Sequence, residues 1–411
     1  MTTILFKNAA LFDGTTPHLR PGCHVAVEGD RIVEVSDTPI ATPVDRTVDL
    51  AGKTLMPGLI DAHFHAIAVD PDIRRIEHMA PSMLAIKAAG LLEDALMRGF
   101  TTIRDAAGAD YGLAKSVESG LIKGPRLFFA GKALSQSGGH GDFSPFEPSS
   151  AGVCHCCRGA SLASIADGVD EVRRAARQEL RRGATQIKIM ASGGVASPTD
   201  PIWNLQYSED EIRAAVWEAT SWRTYVMAHA YTPEAIARCV SYGVRTIEHA
   251  NLIDEATARH CAAHGAFVVP TLVTYEAMTR YGAELGLPAV SLAKLSDVTE
   301  AGLGSLEILK RAGVKVGLGT DLLGEMHRYQ SREFTLRAEV LSPFEVLTQA
   351  LTNNAEVLQR SGELGVVAPG ALADLLVVDG DPLADIGVLE RHDACLRAIV
   401  KGGVFHKDTL G

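Results

Sequence analysis

The chain has 411 residues, 46% of them hydrophobic and 22% charged, with a net charge of −11. That length calls for one large domain plus a smaller one, and the composition is that of a globular protein. The acidic balance, without any Lys/Arg-rich run, argues against nucleic acid or a membrane as partner, and no apolar run reaches transmembrane length.

The N-terminus lacks a basic stretch followed by a long apolar segment, so the cytoplasm is the default address. Residues 4–12, 24–27 and 31–35 alternate as short strands, with Gly29-Asp30 as a turn. From residue 54 onward the rhythm changes. Short apolar runs at 101–105, 126–130, 186–190, 225–229, 246–249, 267–271 and 315–321 alternate with helical segments. Several helices stop at a glycine, namely Gly99, Gly183, Gly243, Gly265 and Gly313, the residue suited to a left-handed cap. Ser208-Glu209-Asp210-Glu211 reads as a capping box, and Thr232-Pro233 and Ser342-Pro343 as helix starts. With the strand leading into His63, eight strands alternate with helices, which predicts an α/β (β/α)8 TIM barrel over 54–364. The spacing breaks between 134 and 163, where a long active-site loop is expected. Near the end, 374–378 and 398–400 again read as strands, so 1–53 and 365–411 are expected to form one small β-sandwich domain from both termini.

Barrel enzymes build their sites where strands end. His63 and His65 are two apart, so on a strand both face one side. Histidine ligates zinc and similar ions, but a lone His-X-His also suits structural histidines. Lys188 interrupts the apolar strand Gln186-Ile187-Lys188-Ile189-Met190. Burying an unpaired ammonium is costly, so this lysine is either ion-paired or neutral. A neutral lysine takes up CO2 as a carbamate with two oxygens for two metals. His229, His249 and Asp321 each end a further strand. Candidate ligands at the ends of separate strands, in one register, point to a metal site.

With this set of residues the chain resembles the amidohydrolase superfamily over nearly its whole length. The resemblance rests on Pro57-Gly58-Leu59-Ile60-Asp61-Ala62-His63-Phe64-His65, Lys188, His229, His249, Gly319-Thr320-Asp321 and the tail from Gly365 to Leu375. It implies two divalent metals, with zinc expected and cobalt or manganese also suited. By that resemblance His63, His65 and Asp321 hold the deeper ion, His229 and His249 hold the outer one, and carboxylated Lys188 and a hydroxide bridge them. A narrower resemblance, carried by the segment from Ala133 to Asp142, by Ile189-Met190-Ala191-Ser192-Gly193-Gly194-Val195 and by His229-Ala230-Tyr231, is to the prolidase-like branch. That branch contains Xaa-Pro dipeptidases and carboxypeptidases, and ochratoxin-hydrolysing amidases are similar. It implies a dipeptide or other small-molecule substrate whose amide bond lies next to a free carboxylate.

Asp321 is then expected to carry the proton from the nucleophile to the leaving nitrogen. His140, in a glycine-flanked loop, is expected to stabilise the oxyanion, unless it is a solvent-facing loop histidine. Tyr231 is expected to bind the substrate carboxylate, against a plain packing role. Glu325-Met326-His327 are further candidates for facing the substrate. Cys154-His155-Cys156-Cys157 lacks the gaps of a metal-binding motif. The seven cysteines are expected to be reduced thiols. His260 and His264 lack the glutamate of a His-Glu-X-X-His motif and are expected on a helix surface. A symmetric homo-oligomer is a prior expectation. The competing activities are a cyclic-amide hydrolase or deaminase on the same barrel, and the competing class is a non-catalytic assembly protein, which would be expected to lose ligands.

Overall fold

The computed structural model describes residues 2–41, 43–144, 161–197 and 199–410. The Cys154-His155-Cys156-Cys157 cluster and most of the expected active-site loop lie outside these residues.

The two chain ends meet in one eight-stranded sheet. Its order is Val404–Asp408, Leu396–Lys401, Leu375–Val378, Thr54–Pro57, Thr3–Leu11, Arg20–Glu28 and Arg31–Ser36, with Arg46–Asp49 paired to Thr3–Leu11. Thr54–Pro57, just past the expected boundary at 53, therefore hydrogen-bonds within the terminal sheet. Leu375–Val378 shows why this region reads as continuously apolar. Successive side chains point to opposite faces, so Leu375 and Val377 join Phe6, Val25 and Leu55 in the terminal core. Leu376 and Val378 face the other way, into the large core of the central domain. Arg126 fastens the two parts, with Nε 2.9 Å from Asp374 Oδ2.

The central strands are all parallel and fall in two sheets. One contains Leu59–Phe64, Phe100–Asp105 and Arg126–Phe129. The other runs Ala163–Ile165, Ala133–Ser135, Ile187–Met190, Val226–Ala230, Thr246–His249, Phe267–Val269 and Lys315–Val316. Backbone hydrogen bonds link the sheets on both sides. Thr185 donates to the Phe129 carbonyl at 2.8 Å, and Ala62 donates to the Leu318 carbonyl at 2.8 Å. The architecture is of the TIM-barrel type.

Local sequence signals are realised where they were read. Gly99, Gly183, Gly243, Gly265 and Gly313 all have positive φ at helix ends. Ser208 and Glu211 form the capping box that starts helix Glu209–Ser221. The last strand is shorter than the predicted 315–321. Beyond Val316 the chain leaves the ladder, and Asn354 inserts its amide, donating to the carbonyls of Ile60 at 2.7 Å and Leu318 at 2.8 Å. No helix among the described residues is long and apolar enough to cross a membrane.

Candidate active site

The ends of the parallel strands converge on one cleft. It is lined by His63, His65, His140, Lys188, His229, Tyr231, His249 and Asp321. These eight candidates line the same cleft.

His63 and His65 are held in fixed orientations. His63 Nδ1 donates to Glu248 Oε2 at 2.7 Å, and His65 Nδ1 donates to the Ala107 carbonyl at 3.0 Å. Both Nε2 atoms face Asp321, whose hydrogen bond and charge outweigh burial and raise the pKa of His65. They lie 3.4 Å and 3.0 Å from Asp321 Oδ1. Such outer partners orient histidine ligands for a metal. Asp321 is ionised, because the neighbouring histidines outweigh its burial and hold its pKa well below the usual range.

His229 and His249 approach from the next strands, with rings 4.6 Å apart. His229 Nε2 donates to the Gly193 carbonyl at 3.2 Å, which leaves Nδ1 as the acceptor. Burial pushes the pKa of both well below the ordinary value, so both are neutral imidazoles, the ligating state. Ligand atoms of His63, His249 and Asp321 lie within 4.8 Å of one another. His249, expected beside His229 on the outer ion, thus also lies close to the deeper set. His249, Ala250 and Asp321 have φ of 74°, 55° and 53°. Non-glycine residues pay for this left-handed backbone, and such strain gathers at functional sites. At His249 it breaks the strand alternation: Glu248 faces inward below, and His249 turns inward above it.

Lys188 is 2% exposed, and its ammonium has no hydrogen bond or ion pair among the described residues. Burial lowers its pKa to about 8, against the pull of Glu248 and Asp321. Among the described residues no carboxylate lies within ion-pair distance of this lysine, although Glu248 and Asp321 act on it through space.

His140 is a buried pocket residue, not a solvent-facing one. Its Nδ1 lies 2.7 Å from Ser197 Oγ and 3.6 Å from Asp200 Oδ2, and its ring stacks on His229 at 4.1 Å. Tyr231 is buried, and its hydroxyl lies 2.8 Å from that of Tyr275. Burial raises the pKa of both phenols, so both keep their protons. The opposite wall is apolar, with Ile73, Phe143, Leu162, Met190 and Met278.

The expectation for Glu325-Met326-His327 is corrected. The Glu325 side chain is 73% exposed and paired with Arg328. Met326 and His327 are buried outside the cleft lining, with the His327 ring against Phe64 at 4.6 Å. The short 3-10 turn Gly324–Tyr329 carries the chain away from the mouth. His264 is exposed and His260 half-buried at the end of helix Glu255–Ala263, as expected.

Sequence reasoning missed the layer beneath. Glu248 receives Arg104 Nη2 at 2.9 Å on both oxygens and Thr246 Oγ1 at 2.7 Å. Asp61 accepts from the His63 amide, Thr320 and Gln330. A charged residue inside an apolar strand, the signal that exposed Lys188, also marks Arg104 and Glu248. Tyr275, Asp200 and Lys294 carry no such local signal.

Residues 54–404 match the amidohydrolase family. The chain belongs to that family. It is a metal-dependent amidohydrolase of the prolidase-like branch, as three relatives indicate. Ochratoxinase from Aspergillus niger is 33% identical over 368 residues, covering 87% of this chain and 76% of its own. The crystal structure of that enzyme superposes with a TM-score of 0.85 at 29% identity, over 99% of this chain and 96% of its own. A prolidase solved with N-methylphosphonate-L-proline is 52% identical, with a TM-score of 0.96 over 99% of this chain and 100% of its own. A Xaa-Pro dipeptidase with bound methionine is 26% identical, with a TM-score of 0.85 over 99% and 100%. The amidohydrolase therefore hydrolyses amide bonds.

Proposed function

We propose that this amidohydrolase uses two divalent metal ions, zinc foremost, to cleave an amide bond adjacent to a free carboxylate. Its substrates are Xaa-Pro dipeptides and N-acyl amino acids, ochratoxin-type amides among them. The observation that carries this is the cleft itself: His63 and His65 aimed at Asp321, facing an unpaired buried Lys188. The donor set fits the metals. His63, His65 and Asp321 would hold one ion, His229 and His249 the other, with Lys188 carboxylated between them. When bound, the ions make hydroxide available near neutral pH and polarise the amide carbonyl.

The chain's own residues supply the rest. Asp321 is the one carboxylate among the described cleft-lining residues, so it takes the nucleophile's proton and delivers it to the leaving nitrogen. His140 and Tyr231 offer donors to the oxyanion and the substrate carboxylate. The 52% identity to the prolidase supports the carboxylate-bearing class. The hydrogen bonds joining the two parallel sheets support a closed (β/α)8 barrel, in which Ala133–Ser135 and Ala163–Ile165 are additional short strands, with the β domain of 1–53 and 365–411, extended by Thr54–Pro57, as its companion.

The test is a screen of the metal-reconstituted protein against N-acetyl-L-proline, Xaa-Pro dipeptides and the same compounds with the carboxylate amidated. The expected result is two metals per chain and turnover only with the free carboxylate. Turnover of cyclic imides or aminated bases alone, with one metal per chain, would select the deaminase-like alternative.

A further inference from the structure

We propose that Lys294 is a positioning residue that clamps the loop carrying the supports of His140, and so sets how well that histidine is aimed at the reacting carbonyl. The inference rests on the proposed reading of the cleft.

Lys294 lies between the short helix Ala289–Ala293 and the long helix Leu295–Ala312. Its side chain is 16% exposed and does not line the cleft. Its Nζ donates to three backbone carbonyls: Gly194 at 2.9 Å, Ser197 at 2.9 Å and Asp200 at 2.6 Å. An ammonium has three N–H groups, so every proton is spent on one short loop nearly a hundred residues away in sequence. These carbonyls have no strand or helix to satisfy them in that conformation. Charge-assisted bonds of this kind are among the stronger ones available.

The same loop meets the cleft at each step. The Gly193 carbonyl accepts from His229. Gly194 packs so closely on the His140 ring that a Cβ there would overlap it. Val195 and Ala196 line the cleft. Ser197 Oγ and Asp200 Oδ2 are the two groups facing His140 Nδ1. Asp200 is itself buried, accepting from the Gly194 amide at 3.2 Å and from Gln206 Nε2 at 3.0 Å. Lys294 thus fixes a loop whose two ends grip a substrate-side histidine. Losing the clamp leaves the metal-ligating histidines on their strands but frees His140 and the apolar wall. Because His140 is the proposed oxyanion donor, the loss falls on kcat rather than on KM alone.

The experiment uses Lys294→Met, which fills the same space without charge, and Lys294→Ala, which opens a slot for propylammonium. Hydrogen exchange is followed at the amides of 194–197, 199 and 200, alongside kcat and KM for N-acetyl-L-proline. The expected result is faster exchange at those amides, kcat lowered about tenfold with KM within about threefold, and recovery of kcat by propylammonium in the Ala variant but not in the Met variant. Exchange and kcat equal to wild type in both variants overturn the proposal. So does a loss of protection spread over the barrel strands with the loop no worse than the rest. Should the wild-type protein cleave no carboxylate-bearing amide, the proposed function falls, while the exchange data still decide the role of Lys294.

Discussion

Replacing Glu248 by glutamine separates two jobs done by one carboxylate. Glu248 is fully buried and accepts from His63 Nδ1 at 2.7 Å, Thr246 Oγ1 at 2.7 Å and Arg104 Nη2 at 2.9 Å. Among the described residues Arg104 has no other carboxylate; its remaining partners there are the Ala62 carbonyl and the hydroxyls of Thr246 and Tyr225. A glutamine offers one acceptor oxygen and one NH2 group, so either Arg104 or His63 meets a donor. Stripping a buried cation of its counter-charge costs about 3–5 kcal/mol. Loss of the acceptor that fixes a ligating histidine weakens metal binding about 10–100-fold. Urea unfolding of the metal-free chain reads the first effect, and competition with a chelator reads the second. The double variant Arg104→Met/Glu248→Gln removes both charges and should recover most of the stability. It should not recover metal affinity, because His63 still lacks its carboxylate. Wild-type stability in the single variant, or wild-type metal affinity in the double, refutes this account of the buried pair.

Asp321→Asn should lower kcat by about 10²–10⁴-fold with KM changed little, measured on the metal-loaded protein; near-normal turnover removes Asp321 as the proton carrier. Lys188, with its pKa lowered to about 8 from the ordinary 10.5, is neutral above about pH 8. Carbamate formation from labelled bicarbonate, followed by 13C NMR on the metal-free chain, should therefore rise with pH to a midpoint near 8, and a midpoint above 10 contradicts the burial argument. Gly194→Ala places a Cβ into the His140 ring and should lower kcat/KM at least about tenfold. Gly304→Ala, in open space within helix Leu295–Ala312, should leave kinetics alone and add up to about 1 kcal/mol of stability.

Much of the site was legible because strand periodicity and strand ends are local properties. His63 and His65 share a face through the period of two. Lys188 stood out because an ammonium inside an apolar strand contradicts its surroundings. The glycine caps and capping boxes followed from backbone sterics and orphan amides within a single turn. Glu325 misled, because nearness in sequence to Asp321 says nothing once the chain turns away through Gly324–Tyr329.

The linear chain by itself determined the alternation of strands and helices, the placing of the candidate ligands at the strand ends and the partnership of the two termini. Each is set by local preference or by which residues must leave water. Only the tertiary structure decided which nitrogen of His63 and His65 faces Asp321, that His249 turns inward through a left-handed backbone, and that Lys294 reaches the loop beneath His140. Those outcomes depend on directional bonds between residues far apart in sequence, such as His63 with Glu248 and Lys294 with Gly194. A hydrogen bond needs its partner at one distance and angle, and only the packed chain supplies that.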